Sequence, residues 1–174
     1  MIPVTPPGNT IRELLEQRSL TQTEFVERLG LTKKTVNEII MGKAPITAQT
    51  ALGLEKIFGM PARFWNNREQ QYRDYLARNE EYERLKPQLP WLKNIPIREM
   101  AKRGWITLFK NPVEQLIEVL RFYGVANIGQ WESMWTRLEG SFRKPPKYES
   151  DVGALSAWMR EGRLIAEEIE CKPF

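Results

Sequence analysis

The sequence contains no histidine, and this absence removes several kinds of chemistry at once. Without imidazole there is no histidine ligand for a metal, no Ser-His or Cys-His catalytic pair and no histidine that titrates near neutral pH. Cysteine is almost absent as well, because Cys171 stands alone and an intrachain disulfide is therefore impossible. A lone cysteine fits a reducing compartment. These shortages argue against an enzyme, and we expect neither a cofactor nor a metal.

Long apolar runs are also missing. No stretch approaches the roughly 18 consecutive apolar residues of a membrane-spanning helix. The N-terminal residues MIPVTPPGNT have neither a basic leader nor the apolar core of a signal peptide. We therefore expect a cytoplasmic protein with no membrane partner.

Neither sign of charge is in large excess. The formal net charge is +4, and it divides evenly into +2 for residues 1–86 and +2 for residues 87–174. Such a balance is compatible with nucleic-acid binding but does not require it. Hydrophobic residues make up 41% of the 174 residues, enough to bury a core. Any argument for DNA must therefore depend on where individual side chains lie.

The N-terminal part of the chain has the residue pattern of successive short helices. The proline-rich segment 3–8 is expected to be a non-helical lead-in. Thr10 and Glu13 then have the spacing of a capping box, in which a hydroxyl and a carboxylate cap each other's backbone amides. Thr21 and Glu24 repeat that spacing at the start of a second helix.

Further start and stop signals predict three more helices. Gly30 suits the left-handed residue that ends the second helix, and Thr32 suits the cap of the third. Thr47 is the predicted cap of a fourth helix closed by Gly59, and Pro61 suits the first turn of a fifth. The sequence thus predicts an all-α fold that begins with five helices joined by short turns.

The most informative segment is residues 32–43, TKKTVNEIIMGK. Helical spacing gives it one apolar side, formed by Val36, Ile39 and Ile40, and one side of basic and amide residues. Two short helices hinged at Gly30 have the layout of a helix-turn-helix, whose second helix enters the major groove of DNA. The alternative is that the basic residues form an ordinary solvated helix face.

Eight residues are the candidate DNA contacts. Gln22 is placed for a phosphate at the start of the second helix, while lysine and asparagine on the third helix can pair with guanine and adenine edges. Residues just after the third helix are placed to contact the sugar-phosphate backbone. The predicted set is Gln22, Thr32, Lys33, Lys34, Thr35, Asn37, Lys43 and Thr47.

The second half of the chain is predicted to be a separate helical part. We divide the chain into a DNA-binding domain at 1–80, a charged and proline-broken linker at 81–90, and a helical accessory domain at 91–174 for dimerisation or partner binding. Its predicted helices cover 97–103, 112–123, 128–138 and a segment capped by Ser150 or Asp151. The basic segment 141–150, SFRKPPKYES, is expected to be a loop. Three tryptophans are expected in its core, namely Trp131, Trp135 and Trp158.

Residues 6–78 closely resemble the HigA-like antitoxin branch of the Cro/repressor (XRE) helix-turn-helix family, most specifically in LTKKTVNEIIMGKAPIT, ALGLEKIFG and the FW that follows Pro61. The resemblance implies a five-helix, lambda-repressor-like domain. It also implies a homodimer that represses its own operon at a palindromic operator and neutralises a small RNase toxin of the HigB/RelE type. Two departures are Pro6-Pro7-Gly8, where His-Pro-Gly is usual, and Val26, where alanine is usual.

The second half resembles the middle region of longer members of this branch that carry a zinc metallopeptidase of the ImmA/IrrE type. This sequence has no HExxH motif, so we expect the peptidase to be absent. Two alternatives to an antitoxin remain open. The chain is either a stand-alone phage-type or stress-type regulator whose second half senses a ligand or partner, or the non-catalytic N-terminal part of a metallopeptidase-bearing regulator.

Overall fold

The computed structural model describes residues 4–139 and 151–169, and within them it contains helices and no strands. The helices are α1 (Pro7–Gln17), α2 (Gln22–Leu29), α3 (Lys33–Ile40), α4 (Ala48–Phe58), α5 (Ala62–Leu85), a 3-10 helix (Lys86–Asn94), α6 (Ile97–Lys102), α7 (Pro112–Tyr123), α8 (Ile128–Glu139) and α9 (Val152–Glu167). The predicted all-α fold is confirmed. In the described part of the chain, no helix has the length and apolar character needed to cross a membrane.

The chain forms two compact units, Met1–Glu81 and Tyr82–Phe174. The boundary falls near the end of α5 rather than in an irregular loop. Residues 81–90, the segment predicted as a linker, are helical, first in α5 and then in the 3-10 helix. The physical reason is burial, because Leu85 is fully buried and Tyr82 packs beside it in the core of the second unit.

Helix α1 begins at Pro7, so the predicted non-helical lead-in was wrong for Pro7 and Gly8, and the predicted capping box of Thr10 and Glu13 does not cap this helix. Pro7 lies in the first turn, where the missing amide costs no hydrogen bond, and Pro6 is the N-cap. Gly8 is buried against α3, where an added Cβ would collide with the backbone of Ile40. The contact of Gly8 with α3 therefore stabilises a helix start that proline in the first turn already permits.

The start of α2 has the predicted capping box. The Thr21 N–H donates to Glu24 Oε2 at 2.9 Å, and the Glu24 N–H donates to Thr21 Oγ1 at 3.2 Å. Hydrogen bonds from the Thr21 side chain and backbone hold the pKa of Glu24 below its usual value. At the other end of α2, Gly30 adopts the left-handed conformation with φ of 70°. Both predicted ends of this helix are confirmed.

Helix α3 covers the central part of the predicted segment 32–43 and ends in a Schellman motif. The Gly42 N–H donates to the Ile39 carbonyl at 3.0 Å, and the Lys43 N–H donates to the Glu38 carbonyl at 2.9 Å. Gly42 has φ of 71°, which glycine adopts without the steric cost of a side chain. The last three residues of the segment therefore form the end of the helix and the turn after it.

The first unit has one core, and the predicted inward residues of α3 belong to it. Rings run through its centre, with Phe25 and Phe58 centroids 5.5 Å apart and Phe58 and Trp65 centroids 5.8 Å apart. Val26 is partly buried beside this core. The buried hydrophobic residues are Ile11, Leu15, Phe25, Val36, Ile39, Ile40, Ile46, Ala51, Leu54, Phe58 and Trp65.

The second unit is built around an aromatic cluster. Trp91 and Trp131 meet edge to face at 5.1 Å, and Tyr123 lies 5.8 Å from Trp131 and 6.1 Å from Trp135. Trp131 and Trp135 are buried as predicted. The Tyr123 hydroxyl lies 2.9 Å from Ser156 Oγ, which joins α7 to α9.

Helix α9 packs through small residues rather than through its tryptophan. Asp151, one of the two predicted caps, is the N-cap and accepts from the Ala154 N–H at 3.1 Å. Gly153 approaches the Asn94 carbonyl so closely that a Cβ would not fit. Trp158 is 67% exposed, so its predicted place in the core was wrong. The predicted loop at 141–150 lies outside the described residues.

Candidate nucleic-acid interface

The helix-turn-helix consists of α2, the turn at Gly30 and α3. Val36 and Ile39, with relative exposures of 1% and 3%, face the first core, and Ile40 joins them. Because these residues follow helical spacing, the opposite side of α3 is turned to solvent. That side carries the lysines and the asparagine predicted to contact bases.

The structure leaves seven of the eight predicted residues exposed and one half-buried. The half-buried residue is Thr35. Its hydroxyl lies 2.9 Å from Thr32 Oγ1, which also accepts from the Thr35 N–H at 3.1 Å. Thr32 and Thr35 therefore already have a structural role as the cap of α3.

The two lysines at the start of α3 are available to a ligand. Lys34 Nζ is 3.9 Å from Glu38 Oε1, but the lysine side chain is 85% exposed. Such an exposed pair contributes little and is readily exchanged for a stronger partner. Lys33 is exposed and forms no salt bridge with any described residue. Both cations can therefore be presented to DNA without breaking a buried interaction.

Asn37 and Gln22 open onto the same groove, which has a volume of about 430 Å3. The groove runs between α1, the start of α2 and the exposed side of α3. It brings together a residue predicted to read bases and one predicted to bind phosphate. Its lining residues are Arg12, Leu15, Glu16, Ser19, Leu20, Thr21, Gln22, Asn37 and Ile40.

Arg12 is the candidate residue that reasoning from the sequence missed. It is exposed on α1 and is the only cation among the groove's lining residues. The sequence signal was weak but present, because its neighbours Ile11 and Leu15 are buried and the chain turns Arg12 away from the core. What the sequence could not supply was that this side of α1 adjoins Gln22 and Asn37.

Lys43 and Thr47 follow α3 in the loop before α4. Lys43 is exposed, and its backbone N–H is used by the end of α3, which fixes the direction of the loop. Thr47 is the N-cap of α4 and accepts from the Thr50 N–H at 3.1 Å. Thr47 therefore has a structural role, while the Lys43 ammonium has no salt bridge among the described residues.

No group of three or more acidic or cysteine side chains in the described residues is arranged to hold a metal ion. The chemistry that the site offers is hydrogen-bond donation and positive charge, from Lys33, Lys34, Lys43 and Arg12, together with the amides of Gln22 and Asn37. Such donors match the acceptors of phosphates and of guanine and adenine edges.

Comparison with known proteins gives matches to the first unit. The family profile HTH_3, described as helix-turn-helix, matches residues 11–65. Virulence-associated protein I of Dichelobacter nodosus is 33% identical over 72 residues, which cover 41% of this chain and 67% of that protein. The uncharacterised HTH-type transcriptional regulator YddM of Escherichia coli K12 is 28% identical over 61 residues, covering 35% of this chain and 65% of the regulator.

Among solved structures, the chain is similar to the antitoxin HigA of Pseudomonas aeruginosa, determined with the higBA promoter, at 25% identity. That likeness covers 48% of this chain and 92% of the other, with a TM-score of 0.45. Each of these four matches covers less than half of this chain. On the family profile and the relative from Dichelobacter, the chain belongs to the Cro/C1-type (XRE) helix-turn-helix family of DNA-binding regulators.

Proposed function

We propose that this protein is a sequence-specific transcriptional repressor and that α3 lies in the major groove of its operator. One observation carries the proposal: the solvent side of α3 presents Lys33, Lys34 and Asn37 while its other side is buried. Lysine donates to guanine O6 and N7, and asparagine pairs with adenine. These three residues are the proposed base contacts.

The proposed backbone contacts surround α3. Gln22 and Arg12 line the groove beside it, and Lys43 is exposed in the loop that follows it. Contacts to phosphate fix the register of the protein on DNA but carry no sequence information. Removal of a phosphate contact should weaken binding to the operator and to unrelated DNA alike. Removal of a base contact should weaken binding to the operator alone.

The short length of α3 is the reason to expect a homodimer on a palindromic operator. One short helix contacts only a few base pairs, so helix-turn-helix proteins commonly bind two half-sites about 34 Å apart. We propose that two copies of this chain bind in that way, in the cytoplasm. Footprinting with purified protein should then show two protected half-sites related by a twofold axis.

We propose, further, that the protein is an antitoxin that represses its own operon and neutralises a small, basic RNase toxin. The sequence of residues 6–78, which resembles the HigA-like branch, supports this role. The observation that keeps a ligand-sensing regulator as a second candidate is the second unit, which has a separate core and lies outside the HTH_3 match. An adjacent reading frame for a short basic protein, whose toxicity this chain suppresses, distinguishes the antitoxin from that regulator.

The DNA proposal is tested by titrating a fluorescent promoter fragment with Lys33→Ala and Lys34→Ala. If each lysine makes a good base contact, its removal should cost about 1–3 kcal/mol on the operator and little on unrelated DNA. Lys56→Ala is the matched control, because Lys56 is an exposed lysine on α4 outside the proposed interface. Operator affinity equal to that of Lys56→Ala for both variants would show that α3 is not the reading helix.

A further inference from the structure

Helix α9 carries a second apolar side that faces solvent. Trp158, Ile165 and Ile169 are 67%, 53% and 61% exposed, with Ile169 just beyond the last turn of the helix. With Leu155 and Gly162 they follow the alternating three- and four-residue spacing of a coiled-coil seam, and none of these five positions is charged. We call these five residues the α9 seam.

The α9 seam is not required by the fold of the second unit. The fully buried residues of α9 are Gly153, Ser156 and Ala157, which lie on its other side, and Val152, Met159 and Leu164 are partly buried against the same core. Arg160 donates to the Phe122 carbonyl at 2.9 Å. Exposed apolar residues scattered singly are ordinary, whereas Trp158 and Ile165 in α9 and Ile169 just after it share one side at helical spacing, which is typical of an interaction surface. A helix with this pattern binds another helix through interdigitating side chains.

The charges beside the seam indicate what kind of helix would bind it. Glu161 and Glu168 lie along one edge of it, at the positions that flank a coiled-coil interface, and neither has a salt bridge with a described residue. At the corresponding positions of the other edge, Met159 packs against the core of the second unit and Ala166 is exposed. Arg163 lies further round the helix, where it pairs with Glu167 at 2.9 Å. The seam is therefore apolar with an acidic edge.

We propose that the α9 seam binds an amphipathic helix of a partner protein whose apolar stripe is flanked by lysine or arginine. Opposite charges at the flanking positions select partner and orientation in coiled coils. The same acidic edge argues against an anionic lipid surface, which attracts basic helices. Gly162, at the centre of the seam, has no protein atom within 4 Å of the place a Cβ would take, which leaves room for a side chain of the partner.

A second copy of α9 fits the seam less well. In an antiparallel pair the flanking positions of one edge face each other, so Glu161 and Glu168 would meet glutamates of the second copy. In a parallel pair Glu161 would face Ala166 of the second copy. Self-pairing is thus repulsive in one orientation and uncompensated in the other, whereas a basic-flanked helix satisfies both carboxylates.

The test uses the full chain and two fluorescein-labelled helical peptides of three heptads, with leucine at the seam positions and either lysine or glutamate at all flanking positions. Fluorescence anisotropy should show saturable binding of the lysine peptide and at least tenfold weaker binding of the glutamate peptide. Trp158→Ala should weaken binding of the lysine peptide at least tenfold. The double variant with Glu161→Lys and Glu168→Lys should have the same effect. Leu108→Ala is the matched control, since Leu108 is 59% exposed on a loop of the same unit, and it should bind like the native chain.

Three results would overturn the proposal. Equal affinity for the two peptides, or failure of the lysine peptide to bind, would contradict the charge argument. Native affinity of Trp158→Ala would place binding elsewhere. Sedimentation equilibrium in which the native chain dimerises and Trp158→Ala does not would assign the seam to a second copy. A promoter titration separates this proposal from DNA binding, because Trp158→Ala should bind the operator as the native chain does.

Discussion

Gly8 lies against the backbone of Ile40 so closely that no side chain could be accommodated between α1 and α3. This contact joins the first turn of α1 to Ile40, the last residue of α3, which is the proposed recognition helix. Since Ile40 also lies in the core, a shift of α1 would displace α3. The position of α3 therefore depends on a residue outside the helix-turn-helix itself.

Gly8→Ala should destabilise the first unit because its methyl group has no space. Overpacking a closed site costs about 1–3 kcal/mol, which exceeds the gain of up to about 1 kcal/mol that alanine makes over glycine inside a helix. Gly162→Ala is the control, since its Cβ would meet no atom within 4 Å, and it should be neutral or stabilising. Urea unfolding of both variants measures the difference. Equal stability of the two would show that α1 can move away from α3 without cost.

Glu24 should make stability depend on pH. Hydrogen bonds from Thr21 favour its ionised form, so its pKa in the folded chain is below that in the unfolded chain. The stabilisation is therefore complete above the unfolded pKa, near 4.5, and is lost as the pH falls through the lower folded pKa. Thermal unfolding of the native chain and of Glu24→Gln should differ at pH 7, and the difference should shrink as the pH falls below 4.5 and through the folded pKa. A constant difference across that range would contradict the assignment.

Arg12 should bind a phosphate in the proposed DNA complex. Arg12→Ala should weaken binding to the operator and to unrelated DNA by the same factor. It should also reduce the slope of log binding constant against log salt concentration by about 0.9, the value for one neutralised phosphate. Arg12→Lys should recover most of the slope because it keeps the charge. The measurement is a set of DNA titrations at several salt concentrations, with Lys56→Ala as the control. An unchanged slope for Arg12→Ala would exclude this role.

Tyr123 and Ser156 should be coupled in the core of the second unit. Their hydroxyl oxygens are 2.9 Å apart, and burial raises the pKa of the Tyr123 phenol. Tyr123→Phe removes a buried hydrogen bond, which should cost about 1 kcal/mol of unfolding free energy. Ser156→Ala and the double variant complete a mutant cycle, with thermal or urea unfolding as the measurement. Additive effects of the two changes would show that the hydroxyls do not interact.

Local rules predicted the caps of four helices but not that of α1, where Pro6 is the N-cap. Thr21, Thr32, Thr47 and Asp151 cap α2, α3, α4 and α9 as expected. The cause lies within a few positions of each cap, because a side-chain oxygen there is satisfied by an amide two or three residues ahead. Gly30 ends α2 for an equally local reason, since a left-handed residue favours glycine.

Local rules did not place Pro7 and Gly8 in α1, because this start depends on the packing of Gly8 against Ile40 as well as on the tolerance of proline in a first turn. They also failed to give Arg12 any role, because its neighbours across the groove are distant in the sequence. Residues 81–90 illustrate a related difficulty, since charge and proline suggested a linker while the burial of Leu85 depends on helices that follow much later. In each case the decisive contact is with an element that the local pattern does not identify.

The sequence alone determined that the chain is helical, where most helices begin and end, and which side of α3 is apolar, because those properties depend on neighbours within one or two turns. Only the tertiary structure decided which apolar side is buried. Helix α9 has two apolar sides, and the small residues Gly153 and Ala157 were buried because they permit close approach, which left Trp158 in solvent. Periodicity reports that a side is apolar, but burial requires a second element to cover it.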